Sequence, residues 1–95
     1  MRVWGKILKG HRTMDQRTVR IGEAEGRNLV NRVKEALDEM VLDMDLPRPI
    51  WFKQNEEDLL KFGRTEFHQD HFIERIPFQK LELELIDEED SPSNH

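Results

Sequence analysis

Two histidines three residues apart, His68 and His71, are the pair most readily put to chemical use. They are flanked by Glu66, Asp70 and Glu74. On a helix, positions three apart share a face. His68 and His71 would then reach one divalent metal, with Asp70 or Glu66 as a third ligand or as a base. On a strand the two imidazoles diverge. A full site needs at least one more ligand, and the other histidines, His11 and His95, are remote in sequence. An i, i+3 pair is more often a surface or aromatic-packed pair than a metal site. Glu66, Asp70 and Glu74 recur every fourth residue. On a helix they would form an acidic stripe able to raise one carboxyl for acid–base work, although a solvated face is the commoner result.

The second constellation is larger. Six of the seven aromatic side chains fall between Pro47 and Phe78, interleaved with Arg48, Lys53, Arg64, His68, His71 and Arg75. Aromatics alternating with cations make recognition surfaces for peptides or nucleotides. They also pin irregular segments to a small core. Arg48, Trp51, Phe52, Arg64 and Phe67 are the binding anchors this block offers.

Other chemistries are excluded by residue type. There is no cysteine, so no thiolate nucleophile, iron–sulfur ligation or cysteine zinc site. The two serines, Ser91 and Ser93, lie at the end of the chain, outside any nucleophile elbow. The five glycines are scattered and make no phosphate loop. No catalytic residue is assigned, and no cofactor is expected beyond the weak divalent-metal alternative.

The chain has 95 residues, with 15 Lys+Arg against 20 Asp+Glu and a formal net charge of −5. That length suits one domain. The acidity argues against nucleic acid, because neutralising phosphates takes a dense basic surface. Contact through Arg48, Lys53, Arg64 and Arg75 is therefore the weakest reading. The absence of disulfide staples, of a signal-like N-terminal apolar run and of any membrane-length apolar stretch points to a cytoplasmic protein with no membrane partner.

These side chains need elements to hold them. Residues 2–9 alternate as a strand with apolar groups on both faces. Residues 17–22 alternate again, after a polar loop over 11–16, and predict a long-looped hairpin. Leu29, Val33, Leu37, Met40 and Val41 trace a helical stripe over about 26–44, ended by Pro47 and Pro49. In that helix the cations come early and the acids late, against the macrodipole. Either an acidic patch is being presented or Arg48 and Lys53 fold back to neutralise it. Asn55 is positioned as an N-cap for a short helix over about 56–62, with Leu59, Leu60 and Phe62 as its apolar contacts and Gly63 as its stop. Residues 64–76 fit helix, strand or loop. Residues 79–86 alternate Leu and Glu as a strand. At a sheet edge, that strand would offer a route to self-association.

The expectation is an α+β fold: a small antiparallel sheet (strands near 2–9, 17–22 and 79–86) with one long and one short helix packed on it. The single domain would span 1–86, with a disordered acidic and polar tail over 87–95. The expected function is a non-enzymatic protein-interaction module using the 47–78 block, its partner another protein or a second copy. The alternative is a small metal-binding protein or metal-dependent hydrolase using His68, His71 and Asp70.

Overall fold

The computed structural model describes residues 1–87. Four strands form one antiparallel sheet in the order β2-β1-β4-β3. They are β1 (Arg2–Lys9), β2 (Arg12–Arg20), β3 (Arg64–Phe67) and β4 (Lys80–Ile86). Two helices, α1 (Gly26–Asp43) and α2 (Lys53–Phe62), pack on one face of the sheet. The architecture is the expected α+β fold, and β1 is central, as its two apolar faces suggest. The remainder of the expected tail, from residue 88 on, lies outside the described residues.

The core forms where strand alternation meets the helical stripe. Val3 and Ile7 of β1, Phe67 of β3, and Leu81 and Leu83 of β4 point under the helices and are buried. Leu29, Val30, Val33, Leu37, Met40 and Val41 descend from α1 to meet them. Gly5 lies in the same row because Met40 needs the space. A Cβ at position 5 would stand 2.7 Å from the Met40 sulfur.

The hairpin is tight rather than long-looped. Lys9 pairs with Arg12, and only Gly10 and His11 turn the chain. Gly10 has φ +65 while His11 does not enter the left-handed region, the pattern of a type II′ turn. The polar stretch 12–16 is therefore strand. It lies on an edge, where pairing does not require apolar side chains. An extra residue, Met14, bulges where the register shifts between Ile7 and Leu8.

The stop of α1 is a Schellman arrangement. Leu46 N–H donates to the Val41 carbonyl at 2.8 Å and Asp45 N–H to Leu42 at 3.2 Å, with Asp45 at φ 58. The inverted charges of this helix are neutralised from outside. Glu56 of α2 reaches Lys34 at 2.7 Å and Arg27 at 3.0 Å. Arg17 and Arg48 hold Asp43 and Asp38 at 2.5 and 3.1 Å. The Lys34 and Arg27 contacts keep the Glu56 carboxyl below its usual range.

Three further expectations change. Helix α2 begins at Lys53, two residues before Asn55. Of its apolar residues only Leu59 is buried, while Leu60 and Phe62 face outward. Strand β4 is interior, between β1 and β3, so it offers no edge for self-pairing. The free edges are β2 and β3.

Candidate functional site

The ambiguous stretch after Gly63 forms β3 and then a 3-10 turn at Gln69–His71. It is not a helix, so Glu66, Asp70 and Glu74 share no helical face. Thr65 and Phe67 turn inward and are buried, while Arg64 and Glu66 turn toward the open face of the sheet. Gly63, at φ 72, makes the corner from α2 to β3 in one residue. Its N–H closes the helix on Leu59, and its carbonyl receives Leu85 N–H from β4 at 2.8 Å.

Asn55 clips the two elements together. It is 3% exposed, and its amide is used in three directions. Oδ1 accepts the Phe52 N–H at 2.8 Å, capping α2 from its third residue instead of from the N-cap position. Nδ2 donates to Thr65 Oγ1 at 2.9 Å and to the Glu66 carbonyl at 3.0 Å. A buried amide in this state is satisfied, and it sets the distance between helix and strand.

Between α2 and β3 runs a shallow groove of about 520 Å³. Phe52 and Phe62 stand on its helical side, 39% and 63% exposed. Arg64, Thr65, Glu66 and His68 supply the strand side, with His71 at one end and Asp58 on the helix.

His71 is held firmly. Its ring stacks on Phe52 with centroids 4.1 Å apart and meets Phe67 edge-on at 5.4 Å. Its Nδ1 accepts the His68 N–H at 3.0 Å. The Asp70 carboxylate also lies 3.1 Å from Nδ1. His68 points elsewhere: its Nε2 is 3.2 Å from Glu66, and the two imidazole centroids are 6.3 Å apart. Among the described residues no three His, Cys, Asp or Glu side chains are grouped to hold a metal. Asp70 lies against His71, whereas the His68 ring is turned to Glu66.

Glu66 is the electrostatic centre of the strand side. Burial pushes its carboxyl up, but Lys80 at 3.0 Å and His68 outweigh this and hold it below the ordinary glutamate range. Lys80 is in turn raised by Glu66, then by Glu82 at 3.2 Å. From Glu82 the row continues to Lys6 at 3.5 Å, and Lys6 lies over the Trp4 ring, 4.3 Å from its centroid.

The five sequence-predicted anchors divide. Phe52 and Arg64 line the groove. Phe67 is fully buried behind it, and Trp51 packs edge-on against Phe67 at 5.1 Å, with Lys34 5.6 Å from its ring centroid. Arg48 lies away from the groove, paired with Asp38 near the end of α1. Sequence reasoning missed Asn55 as a clip and Phe62 as a wall. Phe62 sits three residues after Leu59 and one before the stop, close enough to the apolar stripe to be read as core.

No helix among the described residues is long and apolar enough to cross a membrane. No family model matches this chain, and no curated protein or solved structure matches it either.

Proposed function

We propose that the protein is a non-enzymatic protein-interaction module, and that its partner enters the groove between α2 and β3. One observation carries the reading: two phenylalanines, Phe52 and Phe62, stand exposed on one wall of a groove whose architecture a buried, fully bonded Asn55 holds in place. Exposed aromatics on a rigid frame are the usual anchors of protein recognition, because they bury large area at small entropic cost. The groove's carboxylates already have partners: Glu66 is held by Lys80 and His68, and Asp58 by Gln54. The same reading places the protein in the cytoplasm, on the absence of cysteine.

The test is site-specific photo-crosslinking in the source cells, with the crosslinker at position 62 or, as a control, at position 11 in the hairpin turn. The reading expects one protein to be joined at position 62 and not at position 11, and Phe62→Ser to abolish its co-purification. Identical crosslinking from both positions refutes it. A product of twice the protomer mass would identify the partner as a second copy.

A further inference from the structure

Resting on that reading, we infer that the groove takes its partner as an extended strand added to the outer edge of β3, of alternating aliphatic and acidic character. The geometry of the edge carries the inference. Thr65 and Phe67 pair with Leu83 and Leu81 of β4, and Gly63 accepts from Leu85. In an antiparallel ladder the intervening residues turn their backbone groups the other way. Arg64 and Glu66 therefore direct N–H and C=O into the groove. The Glu66 carbonyl confirms this, since it is the one Asn55 reaches from the helix. That leaves the Arg64 N–H, the Arg64 carbonyl and the Glu66 N–H aimed at an incoming backbone. Unpaired edge groups of this kind are what strand addition uses for affinity, with side-chain pockets giving selectivity.

The surroundings fix the side chains of the visitor. Those facing the helices meet Phe52 and Phe62, so they are apolar. Those facing the open side of the sheet meet Arg64. Among the described residues this guanidinium makes no ion pair, whereas Glu66 beside it is already held by Lys80 and His68. An acid opposite Arg64 completes it. Strand β4 has the same alternation on the other side of β3, with Leu81 and Leu83 under the helices and Glu84 opposite Arg64. The added strand would continue the sheet outward in kind.

The probe is the peptide Thr-Val-Glu-Val-Thr, blocked at both ends and titrated to about 1 mM into 15N-labelled full chain. Three comparisons accompany it: a peptide N-methylated at the glutamate and at both valines, a peptide with Lys in place of Glu, and the Arg64→Glu variant. The expected result is slowed hydrogen exchange of the Arg64 and Glu66 amides, with binding lost on methylation. Arg64→Glu should weaken the glutamate peptide about tenfold and favour the lysine peptide by a similar factor. Shifts around Phe52 and Phe62 without slowed exchange at Arg64 and Glu66, and with the methylated peptide binding equally, overturn strand addition while leaving the groove as the interface. Absence of binding by any peptide overturns the inference, and the crosslink at position 62 then decides the interface separately.

Discussion

Glu66 and Glu82 stand directly opposite each other across β3 and β4, and Lys80 Nζ lies 3.0 and 3.2 Å from their two carboxylates. Facing like charges weaken a strand pair, and here one ammonium converts the repulsion into a bridge. Lys80→Met should lower stability by about 1 kcal/mol near neutral pH, read by urea denaturation. The pH profile has a definite sign. Glu66 is held below its ordinary value of 4.5, so its contribution is complete above that value and drains away as pH falls through the lowered one. Lys80 is raised above 10.5, so its contribution is present below that value and is lost as pH climbs past the raised one. The difference between wild type and Lys80→Met should be a plateau between these limits that narrows at both ends. A difference independent of pH would assign the effect to the lost aliphatic stem.

Asn55→Ala removes the acceptor for Phe52 N–H and both donors to β3, leaving polar groups without their partners. The expected loss is about 2–3 kcal/mol. Thr65→Val should lose less, about 1 kcal/mol, since Nδ2 keeps the Glu66 carbonyl. The two changes share a bond, so their effects in the double variant should fall short of the sum. Additive effects would show that the bond between them contributes nothing.

Asp45 occupies the left-handed position that ends α1, at φ 58. Glycine takes this conformation without a Cβ penalty, and removing an acid from a helix C-terminus also favours the macrodipole. Asp45→Gly should raise stability by about 0.5 kcal/mol, seen as a Tm higher by roughly 2–4 °C. Asp45→Val should lower it by about 1–2 kcal/mol. The opposite order would mean that the Asp45 side chain has a role in the stop.

Phe62→Ser changes an exposed side chain on the last turn of α2, and its stability should stay within about 0.5 kcal/mol of wild type. Partner crosslinking and peptide binding should nevertheless vanish. A large drop in stability would make Phe62 a structural residue and remove the main support for the groove.

How far the chain could be read from its residues depended on the period of burial. Helix α1 and strands β1 and β4 were legible because their buried sides repeat cleanly, as Leu29, Val33, Leu37 and Leu81, Leu83 show. The first half of β2 was not, because an edge strand can pair through its backbone with Arg12, Thr13 and Asp15 outside any apolar pattern. Strand β3 has four residues, too few for a period, and only Thr65 and Phe67 record its inward side. The site was half legible. Phe52 and Arg64 stood out as an aromatic and a cation, but Asn55 looked like an ordinary helix cap. Its reach to Thr65 and Glu66 depends on a contact ten residues away that no local pattern encodes.

The placement of β4 between β1 and β3 bears on how the chain reaches this structure. As synthesis proceeds, the β1–β2 hairpin emerges before β4, and β1 must then wait for a neighbour about seventy residues later in the chain. Until residues 80–86 are made, β1 carries an open flank beside Val3 and Ile7, and β3 has nothing to pair with. A nascent chain is therefore open to wrong pairings until β4 arrives, and pairing β1 with β4 is a long-range contact of the kind that slows folding.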